Sequence, residues 1–117
     1  MLSDMKNQRI SPRLKPRQPT TCRDQTRRPI GRVMNLSESG IMLMSKEPAQ
    51  VNDSRIMKLD LPLTPNHQIT ISGEIIWCQQ SSFSEEYGIG IQIINIDDLA
   101  RVALNRYLKE ITNASAA

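Results

Sequence analysis

The residues of this chain best suited to chemistry are arginines. Arg9, Arg13 and Arg17 recur at four-residue intervals near the N-terminus. Residues 1–33 carry nine Lys or Arg against Asp4 and Asp24, a net charge of +7, whereas the remaining 84 residues carry a net −4. A guanidinium donates two parallel hydrogen bonds to a phosphate and can also stack on a purine face. A basic segment of this kind calls for an anionic partner: nucleic acid, a phosphorylated ligand or a membrane surface. The arginine spacing alone is a weak signal, because Arg23/Arg27 and Arg28/Arg32 repeat it. A second constellation follows in Asn35-Leu36-Ser37-Glu38-Ser39-Gly40. It offers a short amide and a hydroxyl to a base edge or phosphate, with a glycine where a Cβ would obstruct. The same residues also suit an ordinary hairpin turn.

Other chemistries have little to work with. The single histidine, His67, sits beside Asn66 in a predicted turn, with no carboxylate or cysteine at a metal-binding or nucleophile-activating spacing. Nucleophile-elbow, phosphate-loop and zinc-protease motifs are lacking. Asp97 and Asp98 fit a helix cap better than an acid/base pair. Cys22 and Cys78 share no redox or metal spacing and are expected to be free thiols. The expectation is a binding protein, not an enzyme, with no metal and no cofactor.

The elements that must position these residues follow from pattern. Residues 1–18 are polar, basic and punctuated by Pro12 and Pro16, which predicts an extended, mobile arm. Positions 19–28 are weakly β-like and are expected to form an edge strand. Gly31–Ser37 alternates, then breaks at Ser-Glu-Ser-Gly before the apolar Ile41–Ser45, which predicts strand, tight turn and strand. Residues 47–53 make a loop. Arg55–Leu63 sets Met57, Leu59 and Leu61 against Ile56, Lys58 and Asp60, a half-buried strand. Gln68–Gln80 forms a long strand bent or bulged at Gly73, and Ile89–Ile94 another with Gly90 inside it. Leu99, Val102, Ala103, Arg106, Tyr107 and Leu108 recur at helical spacing, giving a helix at about 97–111, with a disordered tail over 114–117. Short strands with regular turns and one terminal helix predict a small antiparallel barrel spanning 19–113. No run approaches the about 18 apolar residues of a membrane span, and Met1–Arg9 lacks the apolar stretch of a secretory leader, so a cytoplasmic location is expected.

Taken together, these features resemble the PilZ domain family over nearly the whole chain. The family joins an RxxxR motif on an N-terminal arm to a later [Asp/Asn]-x-Ser-x-x-Gly motif. Arg9-Ile10-Ser11-Pro12-Arg13 and Asn35–Gly40 follow in that order and at that spacing. Pro19 takes the place of the proline that family members commonly carry at the entry to the first strand, which favours Arg9/Arg13 over Arg13/Arg17 as the working pair. Gly73-Glu74-Ile75-Ile76-Trp77 is similar to the family's G-x-V-x-W strand, and Gly88-Ile89-Gly90-Ile91-Gln92 to its G-[IV]-G strand.

The resemblance implies an all-β fold with one terminal helix: a six-stranded antiparallel PilZ-type β-barrel with a flexible arm. It implies a cyclic di-GMP receptor, often for an intercalated dimer of the ligand, that signals to a downstream protein. Carried over, Arg9 and Arg13 would clamp phosphates and stack on guanine. Asn35 and Ser37 would bond a guanine edge, and Gly40 would preserve the turn. Trp77 would lie against the ligand, although a core or rim tryptophan suits the same position. Arg17 and Gln8 are further candidates, Gln8 standing where many members carry another arginine. Asn35 replaces the commoner Asp and so lacks its charge, and Ile93 stands where Phe is common. The alternatives are a PilZ-like adaptor that works through protein contacts only, and an OB-like binder of single-stranded nucleic acid. The latter is disfavoured because Trp77, Phe83, Tyr87 and Tyr107 are too few and scattered to make a stacking platform.

Overall fold

The structure, a computed structural model, describes residues 13–63 and 65–116, the last three by backbone alone. Six strands, β1 (Thr21–Arg23), β2 (Pro29–Leu36), β3 (Gly40–Ser45), β4 (Ser54–Leu61), β5 (His67–Gln80) and β6 (Tyr87–Ile96), precede a helix, α1 (Asp98–Ala116). Every pairing is antiparallel, and the order β1-β2-β3-β6-β5-β4 closes on itself because β4 returns to β1. Closure leaves no unpaired edge.

Alternation explains the barrel's inside. On β4, Met57, Leu59 and Leu61 face the core, while Ile56, Lys58 and Asp60 point outward, as their spacing predicts. With Leu36, Ile41, Leu43, Ile71, Ile75 and Ile91 they fill the lumen almost entirely with aliphatic side chains. Gly73 faces that core, where a Cβ would come within 2.6 Å of Ile91 Cγ2, and the β5–β6 register slips beside it. The expected bulge is therefore there, with β6 supplying the extra residue. Cys22 lies fully buried against Met57, and burial, reinforced by Asp60, pushes its thiol up to about 12. Cys78 is also free.

Three expectations need correction. The segment 19–28 is not an edge strand: only Thr21–Arg23 is extended, and it is paired on both sides, to β2 and β4. Residues 24–28 curl instead into a loop around Asp24, whose Oδ1 accepts from Thr26 N, Thr26 Oγ1 and Arg28 N. His67 opens β5 opposite Leu61 and is not in the turn.

The helix buries part of the stripe its spacing predicts, Ala103, Tyr107 and Leu108, but that stripe is rotated. Leu99 and Val102 are 83% and 66% exposed, whereas Ala100, Ala103, Leu104, Tyr107 and Ile111 pack on the barrel. Asp97 is the N-cap, its Oδ1 accepting from Ala100 N at 2.8 Å. Two alanines on the buried stripe then let the helix approach closely. The helix also runs on to Ala116, past the expected end at 111, since Thr112-Asn113-Ala114-Ser115-Ala116 contains no glycine or proline to stop it. Tyr107 and Thr20 share a buried hydroxyl–hydroxyl hydrogen bond of 2.9 Å that fastens α1 to the entry of β1.

The arm meets the barrel at one point. Leu14 exchanges two backbone hydrogen bonds with Leu36, at 2.8 and 2.9 Å, and its half-buried side chain packs on the core. The arm is thus tethered to β2 from Leu14 onward. Gln8 and Arg9 lie outside the described residues.

Two stability outcomes are expected. Tyr107→Phe removes one partner of a buried pair whose other member, Thr20, still donates to Gln18 O. A loss of about 0.5–1.5 kcal/mol in urea unfolding, with an unchanged m-value, would check it. The second concerns Asp60. Burial pulls its carboxyl upward, but hydrogen bonds from Gln68 and Arg23 and the Arg23 charge outweigh that and hold it below the usual carboxylate range. A carboxyl lowered in the folded state stabilises above its unfolded pKa, and that contribution is lost as pH falls through the folded one. The urea midpoint should therefore fall as pH drops below about 5, and Asp60→Asn should flatten part of that slope.

Candidate functional site

The site residues lie on the outer face of β2, β3, β6 and β5, and two irregularities put them there. On β2, Val33 pairs with Leu43 and Asn35 with Met42, leaving Met34 as an extra residue. Strict alternation from the buried Val33 would turn Asn35 inward and Leu36 outward. The bulge reverses this, so that Leu36 is fully buried and Asn35 looks out. On β5, Ile75 pairs with Ile91 and Trp77 with Gly90, leaving Ile76 extra. Ile75 stays in the core while Trp77 emerges, 37% exposed.

Register then aligns a row across four strands: Asn35 opposite Met42, Met42 opposite Gly90, and Gly90 opposite Trp77. Neighbouring strands lie about 4.8 Å apart, so the row is about 14 Å wide. The Trp77 indole lies over β6, where a Cβ at Gly90 would clash with its pyrrole edge at Nε1, Cδ1 and Cε2. A Cβ at Gly88 would sit 3.2 Å from the indole's six-membered ring and 3.4 Å from Met42 Cε, so Met42 and Trp77 approach each other over this glycine. The two glycines of Gly88-Ile89-Gly90 provide the floor on which the tryptophan rests.

The arm meets this face at its other end. Held by Leu14, Arg13 donates from Nη1 to Asn35 Oδ1 at 3.1 Å, and its Nη2 lies 3.0 Å from where a Gly40 Cβ would be. Arg13 itself is exposed. Gly40 has no positive φ, so its absent side chain serves close approach: a Cβ there would also crowd Ile91 O at 3.1 Å. Ser37, 2% exposed, is occupied within its own turn. Its Oγ accepts from Gly40 N at 3.1 Å and Ser39 N at 3.2 Å, while Ser37 N donates to Gly40 O. The serine hydroxyl thus satisfies backbone donors of the turn.

Of the residues singled out from sequence, Arg13, Asn35 and Gly40 are brought into contact, Ser37 lies beneath them, and Trp77 stands at the far end of the same face. Arg17 is exposed on the segment leading to β1. Met42 was not anticipated, although it bridges the two ends: Asn35 Nδ2 donates to its Sδ at 3.5 Å. Its position two residues after Gly40 was visible, but its partnership with Asn35 depends on the β2 bulge. Among the described residues no cluster of three or more His, Cys, Asp or Glu is placed to hold a metal. No described helix is long and apolar enough to cross a membrane.

The PilZ domain family profile matches residues 7–110. Solved structures share the fold. The Bacillus subtilis inhibitor of motility MotI/DgrA superposes with a TM-score of 0.72 at 17% identity, over 90% of this chain and 51% of that one. The PilZ domain of Escherichia coli YcgR with c-di-GMP gives 0.69 at 11% identity, over 92% and 93%. K. pneumonia MrkH in its apo state gives 0.70 at 19% identity, over 89% and 51%. The chain therefore spans about half of MotI and of MrkH, and nearly all of the isolated YcgR domain. No curated protein matches it. A profile match over most of the length, on a closed six-stranded barrel with a C-terminal helix, places this chain in the PilZ domain family.

Proposed function

We propose that this PilZ domain is a receptor for cyclic di-GMP that uses its arginine arm to hold the ligand against the β2–β3–β6–β5 face. The observation that carries the reading is the convergence of two motifs 22 residues apart, with Arg13 against both Asn35 and Gly40. A cyclic dinucleotide presents two phosphates and two purines. Arg13, with Arg9 from the matching motif, suits the phosphates and an adjacent purine face. Asn35 Oδ1 suits the N1–H and N2–H edge of guanine, and Trp77 supplies an aromatic surface about three strands away. Ser37 contributes by keeping the turn in shape.

The energetics are favourable for a small domain. Fixing backbone costs about 1–2 kcal/mol per residue, so Leu14, already paired with Leu36, spares the ligand that part of ordering the arm. Charge-assisted hydrogen bonds contribute about 1.5–3 kcal/mol each. Two ligand molecules intercalated as a dimer would extend the stack towards Trp77. The repositioned arm would then be the surface that a downstream protein reads.

Calorimetric titration with cyclic di-GMP, with GTP and a linear dinucleotide as controls, tests the reading. Saturable binding of the cyclic compound alone is expected, with a stoichiometry that reports one or two ligands. Absence of binding would leave an adaptor working through protein contacts. Arg13→Ala should weaken binding about tenfold to a hundredfold without altering thermal unfolding, since Arg13 lies outside the barrel. Gly90→Ala forces the sole tryptophan off β6. Its emission should shift to longer wavelength, and cyclic di-GMP affinity should fall together with that shift; an unchanged spectrum would refute the packing described for Trp77.

A further inference from the structure

We propose that Met42 sets the base preference of this face by fixing which way round the Asn35 amide lies, an inference that rests on the cyclic dinucleotide reading above. An asparagine side chain ends in two groups of nearly equal shape and opposite chemistry, an accepting carbonyl and a donating NH₂. The Watson–Crick edge of guanine presents the N1–H and N2–H donors and therefore needs the carbonyl. Adenine presents the N1 acceptor there beside a single donor group, N6–H₂, so its N1 is met by the NH₂ and an outward carbonyl serves it less well than guanine's adjacent pair of donors. Whichever end of Asn35 faces outward therefore favours one base over the other.

Met42 decides the end that faces inward. Its thioether carries lone pairs and no proton, so it only accepts, and Asn35 Nδ2 is directed at it at 3.5 Å. A carbonyl turned towards the sulfur would meet lone pairs instead. The thioether has little freedom to adapt, because Met42 is half-buried, paired to Asn35 on one side and Gly90 on the other, with its methyl close to the Trp77 ring over Gly88. At the opposite end Oδ1 accepts from Arg13, which favours the same orientation. The two restraints differ in permanence. Arg13 is exposed, and its fork is drawn towards a phosphate when one arrives. Met42 is part of the sheet and stays. Once Arg13 has turned to the ligand, the sulfur alone keeps the carbonyl outward. A carboxylate at position 35 would accept through either oxygen and need no such restraint; an amide does.

The test is a double-mutant cycle read by competition titration with cyclic di-GMP and cyclic di-AMP. Met42→Leu keeps the apolar volume and removes the acceptor. With Asn35 present, the guanine-over-adenine affinity ratio should fall about threefold to tenfold, the worth of one neutral hydrogen bond. In an Asn35→Asp background the same Met42→Leu change should leave the ratio unmoved. An equal effect in both backgrounds would mean that Met42 acts through packing on Trp77, and no effect in either would mean that it does not orient the amide; each overturns the proposal. A readout that needs no ligand accompanies it: a nuclear Overhauser contact between the Asn35 Nδ2 protons and the Met42 ε-methyl, whose absence in the wild-type chain also overturns it. A wild-type chain that shows this contact yet binds neither dinucleotide overturns the functional reading and the base preference built on it, while leaving the amide orientation standing.

Discussion

A barrel strand must show alternate residues to the lumen, and in a lumen packed with Leu, Ile and Met that demand overrides local preference. The candidate site face depends on how this chain satisfies it. Leu36 and Ile75 have to be inside, and their neighbours Asn35 and Trp77 have to be outside. Regular alternation from Val33 and from Ile75 cannot deliver both. One extra residue in each strand, Met34 and Ile76, resolves the conflict at the cost of leaving an apolar side chain partly in water. Each bulge adjoins the residue it re-aims, so site geometry and core packing are fixed by the same few backbone positions. A change at Leu36 would disturb both, because Leu36 also holds Leu14 and through it Arg13.

The turn between β2 and β3 completes that linkage. Ser37 closes it with its hydroxyl, and Ser39 O accepts from Ile93 N, which ties the turn to β6. Gly40 then begins β3 with no side chain between the Arg13 guanidinium and the backbone of Ile91. The short motif thus acts chiefly as architecture. Asn35 is the member that faces outward with a polar group, and Ser37 and Gly40 determine what can stand next to it.

Much of this was legible in the chain itself. The alternation of Met57, Leu59 and Leu61, the break at Ser-Glu-Ser-Gly and the glycine-flanked Trp77 strand specify a small barrel, and the order of the motifs specifies its family. What escaped depended on long-range geometry. The helix's buried face is set by packing on the barrel, and small residues such as Ala100 carry little hydrophobic signal although they form the contact. Met42 looked like one apolar residue among several in Ile41–Ser45. Only the slipped register makes it the neighbour of Asn35. The 19–28 segment misled because Asp24 satisfies its backbone locally, an arrangement that competes with strand pairing over a few residues.

The pairing of Arg13 with Asn35 has an electrostatic consequence that a carboxylate would lack. A guanidinium bonded to an aspartate spends much of its field on that partner, and an arriving phosphate would have to compete with a charge. Bonded to an amide carbonyl, Arg13 is oriented but not neutralised, and none of the ion pairs among the described residues includes it. By contrast, Arg23 and Arg32 are held by Asp60 and Glu86, and the bidentate Arg32 contact keeps the Glu86 carboxyl below its usual range. The chain therefore sorts its arginines by the charge of their partners. Arg23 and Arg32 sit on carboxylates, and Arg13, which meets the motif, sits on a neutral amide.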